Sequence, residues 1–138
     1  MIALMGAAGN VGGKVADLLR EAGEEVRALQ HARDLTDFKE RGAEVVTGDA
    51  MSGDDLRAFF DGAAAALVLL PENVADPMFV EHRREMSRAI RDALRASRVG
   101  HVVALSTVGA DLPDAPGHPA GFTGSSETST SSRPTCWS

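Results

Sequence analysis

The sequence predicts an α/β domain: a doubly wound parallel sheet of five strands, ordered 3-2-1-4-5, with helices on both faces. Two observations carry this. Short apolar runs alternate with helical patterns from Ile2 to Thr107, and a β-α-β-α succession builds a parallel sheet covered on both sides. Gly6, Gly9 and Gly12 fall between the first apolar run and the first helical pattern, where a strand must turn tightly into a helix. Right-handed crossovers then put the first strand at the centre.

The candidate strands are Ile2–Met5, Glu25–Leu29, Glu44–Val46, Ala65–Leu70 and His101–Ser106. A first helix over Asn10–Ala22 has Val11, Val15, Leu18, Leu19 and Ala22 on one face, and Gly23 is placed to end it. Leu35 and Phe38 mark a short second helix closed by Gly42. Ser52 and Asp55 resemble a capping pair for a third, whose buried stripe is Leu56, Phe59 and Phe60 and which Gly62 closes. The fourth runs from about Asp76 to Ser97, with Pro77 in its first turn and Phe79, Met86, Ile90, Ala93 and Leu94 on its apolar side.

At 138 residues the chain has the length of one domain. Its 43% hydrophobic and 25% charged residues are ordinary for a soluble globular protein. A net charge of −6 argues against a general nucleic-acid surface and favours a small-molecule partner. Arg83, Arg84, Arg88, Arg91, Arg95 and Arg98 crowd the fourth helix, but Glu81, Glu85 and Asp92 are interleaved, so a solvated face is expected. The single cysteine, Cys136, has no intrachain disulfide partner. The first apolar run is too short for a signal peptide, and none approaches the ~20 residues of a membrane helix. The expected location is the cytoplasm. His31, His82, His101 and His118 have no metal-binding spacing, so no metal is expected.

The expected division is 1–121 as the folded domain and 122–138 as a Ser/Thr-rich tail. "TGSSETSTSSRPTCWS" has no helical or strand period and holds the only cysteine and the only tryptophan. The tail is expected to be disordered or foreign to the fold.

Chemistry enters at the glycines. Gly6 takes the turn out of the strand, Gly9 lets the backbone approach a pyrophosphate, and Gly12 lets the helix pack close to the sheet. The N–H groups around Asn10, Val11 and Gly12 face the anion, reinforced by the positive end of the helix dipole. A glycine-rich turn without a ligand is the competing reading.

With these residues in place the chain resembles the short-chain dehydrogenase/reductase superfamily. It is most similar to the atypical branch of NmrA-like and NAD(P)H-binding, quinone-reductase-like proteins. The resemblance rests on "MGAAGNVGGKV", "GEEVRALQHARD", "GAEVVTGDAMSGDDL", "ALVLLPE" and "VGHVVALSTVGAD", in that order over about Met1 to Gly121. Ala8 stands where that family often has threonine. The resemblance implies a Rossmann-type fold that binds NAD(P), with a chain that continues past "GADLPDAPGHPAGF" into a substrate-covering section. Here the low-complexity tail follows instead, so the domain is expected to be cut short.

The resemblance also implies roles for residues. Arg33 and His31, after the second strand, would meet an NADP 2′-phosphate, which favours NADP over NAD; solvated loop residues are the alternative. Asp49 would accept the adenine amine, and Leu70 and Pro71 would pass the middle of the cofactor. Ala8 completes the turn. Ser106 and Thr107 would edge the reaction site as catalytic candidates, because ligands sit at the carboxyl ends of such strands. The Tyr-x-x-x-Lys pair of ordinary short-chain dehydrogenases has no counterpart, since the chain contains no tyrosine. Two functions stay open: an NAD(P)H-dependent reductase of small carbonyls or quinones, and a non-catalytic NAD(P)-sensing regulator of NmrA type. A free sheet edge would favour a homo-oligomer.

Overall fold

The computed structural model describes residues 1–31, 33–70 and 77–105. Five parallel strands form one sheet: β1 (Ile2–Leu4), β2 (Val26–Gln30), β3 (Glu44–Thr47), β4 (Ala65–Val68) and β5 (His101–Ala104). Their order is β3-β2-β1-β4-β5, as the crossover argument requires. In register, Ile2 pairs with Val26 on one side and with Ala65 on the other. The strand order reverses at β1, and in an open sheet that reversal leaves a crevice beyond the strands' carboxyl ends.

Alternation along each strand separates two cores. Leu4, Val26 and Ala28 face one side, with Ala16 of α1 (Asn10–Glu21) and Leu35 just before α2 (Thr36–Glu40). Ala3, Met5, Leu29, Ala66 and Val68 face the other. There they meet Leu56, Phe59 and Phe60 of α3 (Gly53–Phe60) and Ile90 and Ala93 of α4 (Phe79–Ala96). Phe59 and Phe60 are fully buried with ring centroids 4.9 Å apart; each contributes about 1.5–3 kcal/mol by leaving water.

Three local expectations change. The buried side of α1 is Gly12 and Ala16, flanked by Val15 and Leu19, whereas Val11 and Leu18 are about half exposed and Ala22 is exposed. The helix is turned by about one residue because Gly12 permits the closest contact. The helix α4 starts at Phe79, with Met78 as its N-cap, so Pro77 precedes the helix rather than opening it. The first helical bond runs from the His82 N–H to the Met78 carbonyl. Ser52 does cap α3, accepting from the Asp55 N–H at 3.3 Å, but the Asp55 carboxylate does not return to Ser52. It is the shorter acid, and it accepts the Asp49 N–H at 2.8 Å instead.

Arg27 is a polar tie within the sheet. It donates to the carbonyls of Phe59 at 3.1 Å and Asp61 at 2.7 Å, joining β2 to the end of α3. Its Nε lies 3.0 Å from Glu44 Oε2 on β3, an ion pair by proximity without hydrogen-bond alignment.

Candidate functional site

The turn from β1 to α1 is fixed by two glycines for different reasons. Gly6 has φ +71°, the left-handed region that side chains disfavour, and a Cβ there would lie 2.9 Å from the Leu69 side chain. Gly12 is constrained by contact alone: its Cβ would lie 2.1 Å from the Gly6 carbonyl oxygen. No side chain fits that gap. The close approach that Gly12 permits is therefore to the turn itself rather than to the sheet. Gly9 is the N-cap of α1, with φ −91° and ψ 168°, and has no side chain to cap the helix. The Gly13 N–H bonds back to the Gly9 carbonyl at 2.8 Å. The N–H groups of Asn10, Val11 and Gly12 precede that bond and have no carbonyl four residues back within the helix. Gly9, Asn10 and Val11 are exposed, so this cradle opens outward and suits an anion.

Beyond the cradle lies a cleft of about 880 Å³, within the range of small-molecule and cofactor sites. It gathers every described residue that the sequence assigns to the cofactor: Gly6, Ala8, Gly9, Asn10, Val11, Gly12, His31, Arg33, Asp49 and Leu70. These come from the turns after β1, β2, β3 and β4, far apart in the chain. Arg33 reaches across the mouth and donates from Nη1 to the Ala8 carbonyl at 3.2 Å. His31 Nδ1 stands 3.9 Å from Asp49 Oδ1. Asp49 is held on both sides: its Oδ1 accepts the Met51 N–H at 2.8 Å, and its own N–H is bonded to Asp55. Such a fixed carboxylate can accept an amine at the cleft edge without reordering.

Pro71, Ser106 and Thr107 lie outside the described residues. Leu105, directly before Ser106, borders the cleft.

The wall supplied by α4 escapes the sequence assignment. Phe79, His82, Arg83 and Met86 all line the cleft, at the i, i+3, i+4, i+7 spacing that puts them on one helix face. Arg83 leaves the solvated arginine face expected for it, its guanidinium carbon lying 5.6 Å from the centre of the Phe79 ring. Met51, Leu29 and Ala50 border the same cleft, which gives it an apolar floor. The one signal available was the apolar pair Phe79 and Met86, and core packing explains that pair equally well. Among the described residues, no group of three or more His, Cys, Asp or Glu is gathered as a metal site would need.

The residues fit a dinucleotide. A cradle of backbone N–H groups borders the cleft, a Cβ at Gly12 would destroy it, and two arginines line the cleft together with apolar side chains. In the full sequence acidic residues outnumber Lys and Arg by 20 to 14. Among the described residues that line the cleft, Arg33, Arg83, His31 and His82 stand beside one acid, Asp49, and such basic side chains suit a polyanionic ligand.

Comparison with known proteins agrees. The NmrA-like family domain-containing oxidoreductase FrzB of Cladobotryum sp is 34% identical over 111 residues, covering 75% of this chain. The chain spans about a third of that relative, 32% of its length. A short-chain dehydrogenase/reductase superfamily protein from Agrobacterium tumefaciens, solved with bound NAD, superposes with a TM-score of 0.70 at 28% identity, over 89% of this chain and 41% of that one. The triphenylmethane reductase of Citrobacter sp., solved with NADP(H), shares the fold with a TM-score of 0.69 at 22% identity, over 80% and 39%. A family model described as NAD(P)H-binding matches residues 6–127. With that match lying over the glycine cradle and the cleft, the chain belongs to the NAD(P)H-binding family.

Proposed function

We propose that this chain is the cofactor-binding part of an NAD(P)H-dependent oxidoreductase, with NADP preferred, acting on small carbonyl or quinone substrates. The observation that carries this is the cleft, where the anion cradle of α1 and the Arg33 guanidinium share one opening. The N–H groups of Asn10, Val11 and Gly12 bind the pyrophosphate. Arg33 and His31 meet the 2′-phosphate, Asp49 accepts the adenine amine, and Leu70 and Pro71 flank the middle of the cofactor. Ser106 and Thr107, at the end of β5, edge the reaction site. When bound, the reduced nicotinamide supplies the hydride; the chain's residues position it and exclude water. The names of the relatives support an oxidoreductase and either dinucleotide.

A second reading, dinucleotide sensing without turnover, draws on one observation: the 138 residues hold no tyrosine to supply the proton of ordinary short-chain dehydrogenases. Calorimetric titration with NADPH and NADH tests the cofactor. Wild type should bind NADPH more tightly. Arg33→Ala should weaken NADPH roughly tenfold, an exposed charge-assisted contact, and NADH much less. Equal losses for both cofactors would remove Arg33 from the 2′-phosphate site. Reduction of quinones by the cofactor-loaded chain then separates enzyme from sensor.

A further inference from the structure

We infer that His31 makes the choice between NADPH and NADH proton-linked: binding NADPH, but not NADH, draws a proton onto its imidazole. The inference rests on the proposed 2′-phosphate site and adds what Arg33 alone would not give. His31 Nδ1 lies 3.9 Å from Asp49 Oδ1, and both side chains are more than half exposed. At that distance and exposure the contact is screened by water and leaves the imidazole accessible to a ligand. Arg33, the other cation of this turn, is directed at the Ala8 carbonyl and stays charged at every accessible pH. His31 is therefore the group of the pair whose charge can follow the ligand.

The surrounding charges set the sign. Asp49 favours the protonated imidazole, and Asp55 at the start of α3 anchors Asp49 through its N–H. Asp34, on the same turn as His31, has its Oδ1 bonded to the Thr36 N–H and hydroxyl. Arg33 opposes protonation, as do Arg83 and His82 across the cleft when charged. A phosphate arriving beside His31 adds close to two negative charges near neutral pH, more than Asp49 supplies. The proton goes from solvent to the ring nitrogen, and no other bond changes. NADH lacks this phosphate, and its ribose hydroxyls leave the imidazole's charge nearly unchanged.

A tenfold strengthening of proton binding by the phosphate corresponds to an uptake of at most about half a proton, and to a fall of up to about tenfold in the NADPH-over-NADH affinity ratio as pH rises.

The experiment is calorimetry of the whole chain with NADPH and NADH at pH 7, in buffers of different ionisation enthalpy, followed by the affinity ratio at pH 9. Wild type, His31→Gln and His82→Gln are compared. Uptake with NADPH alone, lost in His31→Gln and kept in His82→Gln, with a ratio that becomes flat in pH for His31→Gln, is the expected result. Uptake that survives His31→Gln, or is lost in His82→Gln, overturns the inference while tight NADPH binding leaves the cofactor reading intact. Equal uptake with both cofactors also overturns it. Failure of wild type to bind either cofactor removes both readings. Since His31 is exposed, His31→Gln should fold normally, which its thermal unfolding would verify.

Discussion

At the scale of single residues, the three glycines of the turn carry separable loads. A Cβ at Gly12 would fall 2.1 Å from the Gly6 carbonyl oxygen, so Gly12→Ala must push α1 away from the turn. Overpacking of that kind costs about 1–3 kcal/mol, and the melting temperature should fall together with cofactor binding. Gly9 differs. Its φ of −91° is open to any residue, and its Cβ would lie 3.2 Å from the Gly6 oxygen, a tight but adjustable contact. Aspartate is a good N-cap and would bond the very N–H groups proposed to hold the pyrophosphate. Gly9→Asp should therefore hold the melting temperature within a few degrees while weakening NADPH binding by about a hundredfold or more, the scale of losing charge-assisted bonds and adding a repulsive charge. Thermal unfolding beside calorimetry reads both quantities. A large loss of stability in Gly9→Asp would mean that the turn is needed for the fold rather than for the ligand.

Secondary-structure elements show why some of the site was legible and some was not. Glycine spacing marked Gly6 to Gly12, and the family resemblance marked His31, Arg33 and Asp49; they meet in one cleft because parallel strands deliver their exits to one edge whatever the loops contain. The α4 wall was hidden, since Phe79 and Met86 read as core and Arg83 as one of six arginines on a solvated face. Only tertiary packing turns His82 and Arg83 toward the cleft. The start of α4 was misplaced because Pro77 suits either the first turn or the residue before a cap. The end of α4 holds a testable strain. Arg98 follows the Ser97 C-cap with φ +54°, a position where glycine is preferred. Arg98→Gly should gain about 1 kcal/mol or somewhat less after unfolded-state entropy, read as a raised denaturation midpoint at constant slope. An unchanged midpoint would show the arginine side chain offsetting its backbone. Before α2, the Thr36 hydroxyl, and then the Thr36 N–H, hold the Asp34 carboxyl below its ordinary range. A lowered native value stabilises the fold above the unfolded-state titration, and that contribution is lost as pH falls through the native one. The pH dependence of urea midpoints below neutrality should thus be slightly shallower in Asp34→Asn. An identical acid limb would mean that the turn carries no linked proton.

For the whole molecule, the decisive feature is a cleft whose described lining carries two arginines, in an acidic chain. The net charge of −6 acts on an approaching dinucleotide from all sides, whereas Arg33 and Arg83 act from within the lining. These opposing fields have different ranges, and salt separates them. The screening length is about 30 Å at 0.01 M, about 10 Å at 0.1 M and about 3 Å at 1 M. Raising salt through the first interval removes mainly the long-range repulsion; through the second it removes the contact attraction. NADPH affinity at pH 8 should therefore rise and then fall, with a maximum near 0.1 M. NADH, lacking the 2′-phosphate, should follow a flatter curve. Arg33→Ala should flatten the falling limb for NADPH and leave the rising limb in place, because the net charge of the chain becomes only more negative. A monotonic fall from the lowest salt would show that local attraction outweighs the net charge at every distance. A monotonic rise would show that the arginines make no effective contact with the ligand. The same curve tests placement: if Arg83 rather than Arg33 faces the extra phosphate, Arg83→Ala is the variant that loses the difference between NADPH and NADH at high salt.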